Sequence, residues 1–409
     1  MFVAYEVLLY LVFIVMLPFF LFTGLLRGKY LTNFPERLGI YRTPRRAHDL
    51  WIHAVSVGET IAAKPVVADI QRMRPGTSIV MTTTTITGQA QARRLYPGAT
   101  IAYFPFDFSF AVKRFLNHHA PRVFATMETE IWPNVTRIAR ARGLKLILAN
   151  GRISDRSFPR YRTFRAIVGP IVRTYDRILA REETDRERFE AIGATTVEVS
   201  GNVKFDYQPD ATPLDLRFGS RRVLILGSTM EGEDEQLVPL LDDFLRKHDA
   251  AVLIAPRKAE RFDAVARLLE QAGLNYARRS AAEGGGAPPR VLLLDTFGEL
   301  ARAYRYGTAA FVGGTIAPIG GHNPIEPAAA GVPVCFGPSM TNFREIASAF
   351  LEAGAAEEVR TAAEVIAFAS RMFENEAEQR ERGARAREVV ERNRGASERT
   401  ARRIVELLA

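Results

Sequence analysis

Short apolar runs alternate with longer amphipathic segments along most of this chain. In the first half the apolar runs lie at 50–55, 78–83, 101–104, 123–127 and 144–149. Helical patterns stand between them at 60–73, 110–117 and 135–141. In the second half the apolar runs lie at 223–226, 251–255, 291–294, 310–312 and 333–336. This alternation predicts parallel sheets with helices on both faces.

The two halves predict two domains. A chain of 409 residues exceeds what one compact core usually holds. The segment 207–213, with two prolines, predicts a linker. We therefore expect two Rossmann-like, doubly wound domains that face a cleft, because ligands of such sheets bind beyond the carboxyl ends of the strands. The expected boundaries are a membrane anchor at 1–28, an N-terminal domain at 29–208 and a C-terminal domain at 209–409.

Two polar segments of the second half predict exposed structure. The stretch 281–289 is rich in Gly, Ala and Pro and predicts a mobile surface loop. The stretch 374–403 carries Glu and Arg at helical spacing and predicts a solvated helical face.

The N-terminus predicts a membrane-anchor helix. No charged residue occurs from Val7 to Leu26, and 20 helical residues span about 30 Å, the thickness of a hydrocarbon core. A cleaved signal peptide is disfavoured, because only Glu6 precedes the run and no Ala-x-Ala site follows it. Basic residues after the run place the body on the cytoplasmic side. A helix lying in the membrane interface or in the protein core is the alternative.

The overall charge favours an anionic partner. The net charge is +9, but neither zinc-finger spacing nor an RNA-binding aromatic signature occurs, so an anionic membrane surface is expected rather than nucleic acid. The single cysteine, Cys335, excludes an intrachain disulfide and lies in an apolar run. His53, His118, His119 and His322 show no metal-ligand spacing with it, so no metal ion is expected.

A glycine-rich segment at 313–331 predicts a ligand loop. An apolar run leads into four glycines, then into Asn323 and Pro324, which suit a helix start. Glycines allow a ligand close to the backbone, and a helix N-terminus favours an anion. Glu326 would face that ligand and suits ribose hydroxyls. A tight strand–helix connection, with Glu326 offsetting the helix dipole, is the structural alternative.

Acidic and basic residues follow several predicted strands. Glu59 and Glu128 come after runs of the first half, where a carboxylate can accept a proton from an attacking hydroxyl. Taken alone, Glu59 is more typical of a favourable acid in the first turn of a helix. Glu128 and Glu130 form a pair that could split roles, or one of them could simply cap. Lys204, near the domain junction, could meet a phosphate or be solvated. Arg257, after a run of the second half, could bind a phosphate or a carboxylate, or form a surface ion pair.

These segments together resemble the 3-deoxy-D-manno-octulosonic acid (Kdo) transferase family of Gram-negative bacteria. Besides the N-terminal anchor, the matching segments run in family order: 53–60 (HAVSVGET), 127–134 (METEIWPN), 149–154 (ANGRIS), 201–206 (GNVKFD), 256–257 (PR), 295–299 (DTFGE) and 320–327 (GGHNPIEP).

The resemblance implies a glycosyltransferase-B fold and inverting transfer of Kdo from CMP-Kdo to the lipid A precursor (lipid IVA) at the cytoplasmic face of the inner membrane. It implies that the N-terminal domain binds the acceptor and the C-terminal domain binds CMP-Kdo. The family's proton acceptor falls on Glu59, and its transition-state-stabilising pair falls on Glu128 and Lys204. Its CMP contacts fall on Pro256, Arg257, Phe297, Gly298, Glu299, Asn323, Pro324, Ile325 and Glu326. The middle CMP segment departs from the family's common Met-Gly-Glu, since Phe297 stands in place of Met.

Two other functions remain open at this point. A sugar-nucleotide epimerase of the same fold would need neither a membrane anchor nor a lipid acceptor. A non-catalytic, membrane-tethered protein that binds anionic lipid would not need Glu59.

Overall fold

The computed structural model describes residues 2–27, 33–207, 212–216, 218–281 and 289–409, with the side chains of 19–27 excluded. The chain forms two compact units. One consists of Met1–Tyr207 together with Asn393–Ala409, and the other of Gln208–Arg392.

Seven parallel strands form the sheet of the first unit. They are β1 (Leu50–His53), β2 (Ile79–Thr83), β3 (Thr100–Tyr103), β4 (Val123–Met127), β5 (Lys145–Gly151), β6 (Arg177–Ala180) and β7 (Val197–Val199). Their order across the sheet is β3-β2-β1-β4-β5-β6-β7. The order reverses between β1 and β4, which pair directly with Leu50 opposite Val123. Such a reversal is where doubly wound sheets bind ligands.

The helices of the first unit connect these strands, and one returns from the end of the chain. They are α1 (Phe2–Arg27), α2 (Phe34–Arg37), α3 (Val57–Met73), α4 (Ile86–Leu95), α5 (Ser109–His119), α6 (Pro133–Ala141), α7 (Phe158–Thr163), α8 (Arg165–Val172), α9 (Glu183–Ala191) and, numbered in chain order, α18 (Ala396–Leu408). A short 3-10 helix, Val203–Asp206, follows β7.

The second unit repeats this architecture. Its strands are β8 (Arg222–Thr229), β9 (Ala250–Pro256), β10 (Tyr276–Arg278), β11 (Val291–Leu293), β12 (Gly307–Val312), β13 (Val334–Phe336) and β14 (Ala356–Glu358). They are parallel, in the order β10-β11-β9-β8-β12-β13-β14, which reverses between β8 and β12. Its helices are α10 (Asp234–Leu237), α11 (Leu241–Lys247), α12 (Phe262–Gln271), α13 (Leu300–Ala303), α14 (Ile325–Ala329), α15 (Arg344–Glu352), α16 (Ala362–Glu374) and α17 (Glu376–Arg392).

The strands are buried on both faces, which explains their continuous apolar runs. In β1, Leu50 and Ile52 join a cluster on one face that includes Ile404 of α18. Trp51 points to the other face and packs against Phe115, with ring centroids 4.3 Å apart. The apolar alternation therefore predicted two parallel sheets correctly.

The end of the chain corrects one predicted boundary. The stretch 209–409 was expected to form one C-terminal domain, but Asn393–Ala409 belongs to the first unit. Its helix, α18, buries Ala401, Ile404 and Leu408 in the core of that unit. The Glu and Arg residues of α18, which contributed to the predicted solvated face, lie on the side of the helix away from this core. The predicted loop at 281–289 and the predicted linker at 207–213 fall largely outside the described residues.

The predicted membrane anchor over 1–28 is not supported. Among the residues that the structure describes, no helix combines the length and the apolarity that crossing a membrane requires. The first half of α1 lies instead against the rest of the first unit. Tyr5 donates a hydrogen bond to Asp107 at 2.8 Å, and the Glu6 carboxylate accepts one from the Ser109 N–H at 2.9 Å.

Candidate functional site

Two predicted site residues of the first unit lie where its strand order reverses. Glu59 lies in the first turn of α3, six residues after β1 ends, and Glu128 follows β4 directly. Because β1 and β4 are parallel neighbours, both acids lie at the carboxyl edge of the sheet. The charge of Glu128 acts on Glu59, so the two acids share one electrostatic environment.

Local sequence explains how Glu59 is held. Ser56 precedes α3 and its hydroxyl faces the Glu59 N–H, while Glu59 reaches back to accept a hydrogen bond from the Val55 N–H at 2.7 Å. This arrangement is a variant of the capping box of a Ser-x-x-Glu sequence, in which Glu59 accepts from the N–H before the N-cap residue Ser56 rather than from Ser56 itself. The capping role and a chemical role are compatible, because a carboxylate has about four acceptor sites.

The Glu59 carboxyl titrates near neutrality. Burial is the main cause, and the charges of Glu128 and Glu130 add to it, so the pKa of Glu59 rises to about 7 despite the hydrogen bonds from Val55 and Ser56. A general base works best when its pKa lies near the operating pH. Glu59 therefore has the protonation behaviour that proton transfer from a hydroxyl requires.

Glu128 is held by two cations. Its Oε1 atom lies 2.6 Å from Arg181 Nη2 and 3.4 Å from Lys204 Nζ. Its backbone has a φ of 59°, which non-glycine residues adopt only at a cost of about 1–2 kcal/mol. Asn150, at the end of the neighbouring strand β5, has a φ of 57° and accepts a hydrogen bond from the Val203 N–H at 3.2 Å. The ends of β4 and β5 thus place Glu128 beside the 3-10 helix that carries Lys204.

Arg181 was not predicted as a site residue. Only 4% of its side chain is exposed, and it also donates to the Asn150 carbonyl at 3.2 Å. Burial alone would raise the pKa of Glu128, but Arg181 and then Lys204 lower it below its usual value. Burial lowers the pKa of Lys204, and Glu128 opposes that change. The cluster therefore holds an ionised carboxylate against a cationic amine.

A polar cavity of about 180 Å³ lies beside Glu128. Its lining consists of Glu128, Thr129, Glu130, Arg152, Ser154, Ser157 and Tyr161. Burial and the charge of Glu128 raise the pKa of Glu130 to about 7. The cavity volume is several times the ~30 Å³ that one water molecule occupies in the liquid. The cavity is therefore large enough for a hydroxylated part of a substrate.

In the second unit, the predicted nucleotide-binding residues Arg257 and Asn323 both influence the ionisation of a third, Glu326. Arg257 follows β9, where Pro256 is buried, and its N–H donates to the Thr229 carbonyl at 2.9 Å. Asn323 accepts a hydrogen bond from the Ile325 N–H at 3.1 Å, but the residue at the N-cap of α14 is Pro324, so the predicted helix start was one residue too early. Burial raises the pKa of Glu326 to about 7, against the opposing effects of Asn323 and the Arg257 charge.

The other predicted nucleotide-binding segment follows β11. The Phe297 side chain is 60% exposed and its ring packs against Phe262, with centroids 5.6 Å apart. Gly298 has a φ of 85°, where a side chain would be strained. The Glu299 carboxylate pairs with Arg279 at 3.0 Å, so it orders this segment as well as being a candidate ligand contact.

The glycine-rich loop holds a carboxylate of the protein itself. Glu233, which is 1% exposed, accepts hydrogen bonds from five backbone N–H groups. These belong to Met230, Gly314, Thr315, Ile316 and Ala317, at 2.7–3.2 Å. The Gly314 to Ala317 amides expected to favour a ligand anion therefore bind Glu233 instead. Glu233 was not predicted, because 81 residues separate it from Gly314.

The predicted residues thus form two groups. Glu59, Glu128 and Lys204 lie together in the first unit, with Arg181 and Glu130 added. In the second unit Arg257, Asn323 and Glu326 share one region, and Phe297–Glu299 form a separate segment. Each group lies at the carboxyl edge of its sheet, as ligand sites of doubly wound folds do.

Comparisons of sequence identify relatives of this chain. The family model described as 3-deoxy-D-manno-octulosonic-acid transferase (kdotransferase) matches residues 32–207. A 3-deoxy-D-manno-octulosonic acid transferase of Bordetella pertussis is 38% identical over 375 residues, which cover 87% of this chain and 86% of the relative. Its counterpart in Haemophilus influenzae is 34% identical over 395 residues, covering 92% of each chain.

Solved structures support the fold. MurG of Acinetobacter baumannii has a TM-score of 0.55 at 14% identity, covering 88% of this chain and 100% of that one. A UDP-GlcNAc 2-epimerase of Neisseria meningitidis has a TM-score of 0.56 at 12% identity, covering 88% and 99%. At such identities the likeness shows the predicted glycosyltransferase-B class of fold alone and does not separate a transferase from an epimerase. The sequence relatives do separate them: the chain belongs to the 3-deoxy-D-manno-octulosonic acid transferase family.

Proposed function

We propose that this protein transfers Kdo from CMP-Kdo to the lipid A precursor, lipid IVA, with inversion and release of CMP, as a step of lipopolysaccharide biosynthesis. The observation that carries the proposal is the Glu59 carboxyl. It combines a pKa of about 7 with a position at the reversal of strand order, beside the ion pair of Glu128 and Lys204. Membership of the transferase family supplies the substrate class.

In the proposed reaction Glu59 takes the proton of a glucosamine hydroxyl on the acceptor. The hydroxyl oxygen forms a bond to the anomeric carbon of Kdo, and the bond from that carbon to the CMP phosphate oxygen breaks, so that CMP leaves with the electron pair. The transition state resembles an oxocarbenium ion, as in glycoside hydrolysis. Because attack and departure occur on opposite faces, no covalent sugar–enzyme intermediate is needed.

The cations next to Glu59 fit the charge that develops. The Lys204 ammonium is restrained by Glu128 at 3.4 Å, so it acts as a positioned positive charge toward the leaving phosphate. In the second unit Arg257 offers a guanidinium, whose fork matches phosphate oxygens. We propose that Asn323 and the following backbone bind near the phosphate and that Glu326 binds the ribose. The proposed reaction uses these side chains and requires no metal ion.

A transfer assay tests this proposal. Purified protein, CMP-Kdo and lipid IVA should give a product heavier by one or more Kdo residues, and mass spectrometry counts them. Activity on UDP-GlcNAc without transfer from CMP-Kdo would favour the epimerase. Lipid binding without turnover of either nucleotide sugar would favour a non-catalytic tether.

We further propose that the protein works at the cytoplasmic face of the inner membrane with α1 lying against the bilayer surface. The support is the orientation of that helix. Tyr5 and Glu6 hydrogen-bond to the first unit, whereas Val3, Leu8 and Val15 are 78%, 58% and 75% exposed. An apolar face left outside fits an interfacial helix. Co-sedimentation with anionic vesicles should fall for Leu8→Ser/Val15→Ser, and unchanged binding would contradict the assignment.

A further inference from the structure

The helices α7 and α8 present a surface that is both cationic and apolar. We call it the α7–α8 face, and its exposed residues are Arg156, Arg160, Arg162, Phe164, Arg165 and Ile167. Phe164 is 56% exposed and Ile167 is 49% exposed. Single exposed apolar residues are common on protein surfaces, but two of them among four arginines on one short segment form a mixed patch.

Three arginines of this face have no acidic partner among the residues that the structure describes. In the described part of the chain, Arg160, Arg162 and Arg165 have no carboxylate within ion-pair distance. The acid nearest in sequence, Asp155, pairs with Arg188 instead. Since a guanidinium matches phosphate with two parallel hydrogen bonds, uncompensated arginines favour a phosphorylated ligand.

The same segment reaches the cavity beside Glu128. Ser157 precedes α7 and Tyr161 lies within it, and both side chains line the cavity of about 180 Å³ together with Ser154 and Arg152. The segment therefore contributes hydroxyl groups to the cavity next to carboxylates, and exposes arginines and apolar side chains interleaved with and following those residues. A ligand that uses all of these carries hydroxyls, phosphate and hydrocarbon in one molecule.

We propose that the α7–α8 face and the adjoining cavity are the docking surface for the phosphorylated, acylated lipid acceptor. The cavity takes its sugar hydroxyls, the arginines bind its phosphate, and Phe164 and Ile167 contact its acyl chains. This inference rests on the proposed transferase function and assigns the acceptor side of it to named residues. Inorganic phosphate would leave the apolar side chains without a role, and an uncharged lipid would leave the arginines without one.

Steady-state kinetics with the full-length chain test the assignment. The charge variant is Arg160→Gln/Arg162→Gln/Arg165→Gln, and the apolar variant is Phe164→Ser/Ile167→Ser. Control variants are Ile86→Ser, at a residue 49% exposed like Ile167, and Arg94→Gln, at another exposed arginine of the first unit. Each is assayed with the acceptor in detergent micelles, with the acceptor embedded in vesicles and with its deacylated, still phosphorylated form.

The charge variant should raise the KM for both acceptor forms about tenfold, the size of one lost charge-assisted contact. The apolar variant should raise the KM for the acylated form alone. The KM for CMP-Kdo and the melting temperature should stay as in the wild type, and the controls should change neither acceptor KM. Acceptor KM values within twofold of wild type for both variants would overturn the inference. A loss confined to acceptor embedded in vesicles would also overturn it, since that result indicates a general bilayer contact.

Acceptor binding without donor separates this inference from the proposed function. The wild-type protein should bind the acceptor micelles, and the charge variant should bind them about tenfold more weakly. Equal binding by both would overturn the docking surface even if Kdo transfer is found. Weakened binding in the variant would support the surface even if the wild type transfers no Kdo.

Discussion

The carboxylate of Glu128 shares one oxygen between two cations, with Lys204 Nζ at 3.4 Å and Arg181 Nη2 at 2.6 Å. The arrangement fixes the Lys204 ammonium relative to the carboxyl edge of the sheet. It depends on the left-handed backbone of Glu128, which aims the side chain away from β4 toward the 3-10 helix. Strained backbone of this kind concentrates at functional sites.

Glu128→Gln should therefore slow Kdo transfer. The neutral amide loses the ion pair that positions Lys204, and a displacement of about 1 Å at a catalytic group costs on the order of 10²-fold in rate. The measurement is kcat with saturating donor and acceptor. Asp176→Asn is the matched control, because Asp176 also contacts an arginine and a lysine, at 2.9 and 3.8 Å. Its kcat should not change, and a wild-type kcat in Glu128→Gln would remove the role proposed for this pair.

Glu59→Gln should lower kcat by a factor on the order of 10² or more, because glutamine cannot accept the proton of the acceptor hydroxyl. The amide oxygen can still accept the Val55 hydrogen bond, so the helix cap and the melting temperature should be nearly preserved. Glu364 offers a matched control. It forms the same variant of the capping box in α16, accepting from the Arg360 N–H at 2.7 Å, and it lies three residues after Thr361 as Glu59 lies three residues after Ser56.

Glu364→Gln should keep the wild-type rate. Equal losses in the two variants would mean that Glu59 acts only as a cap. A Glu59→Gln enzyme of full activity would refute Glu59 as the base.

The pH dependence of the reaction should report Glu59. Its pKa is about 7, and the base must be ionised to accept a proton, so kcat/KM should rise with pH through about 7 and then level off. Glu130 contributes to that pKa through its charge. Glu130→Gln removes this charge, so the pKa of Glu59 should fall and the rising limb should move to lower pH. A pH–rate profile from pH 5 to 9 measures both, and an unmoved limb in the variant would contradict the electrostatic link.

The sheets were predictable because burial on both faces leaves an uninterrupted apolar run, as in β1 with Leu50, Trp51 and Ile52 all at most 1% exposed. Four short strands were not predicted: the edge strands β7, β10 and β14 and the interior strand β6. β7 has three residues, and its Val199 is 44% exposed, so it carries no such run. The assignment of α18 failed for a related reason. Its arginines and glutamates are evident in the sequence, but the partner of its apolar side lies more than 300 residues earlier, in α3.

The predicted site residues followed from short motifs at strand ends, where chain order and spatial position coincide. The residues that hold these site residues in place did not follow from such motifs. Arg181 directly follows β6 and reaches Glu128 across 53 residues, and Glu233 reaches Gly314 across 81. Neither carries a local signature, because only the sheet brings the partners together.

Glu233→Gln should impair the second unit. The glutamine amide would present N–H groups to five backbone N–H donors, leaving several of them without an acceptor at a position only 1% exposed. Losing charge-assisted hydrogen bonds of this kind costs about 1.5–3 kcal/mol each. The KM for CMP-Kdo should rise together with a lower melting temperature. Glu231→Gln, two residues away and exposed, is the control and should change neither.

Asp206 ties the last helix to the segment that carries Lys204. Its carboxylate accepts from the Gly395 N–H at 2.6 Å and the Ser397 N–H at 2.7 Å, at the start of α18. Asp206→Ala should lower the free energy of unfolding by about 1–2 kcal/mol, the usual cost of a lost helix cap, and Asp206→Asn should lose less, because asparagine also caps well. Denaturant unfolding of the full chain measures both. Asp249→Ala removes a surface ion pair to Arg221 at 3.6 Å and should cost under about 1 kcal/mol. If Asp206→Ala were no more damaging than Asp249→Ala, α18 would not depend on this cap.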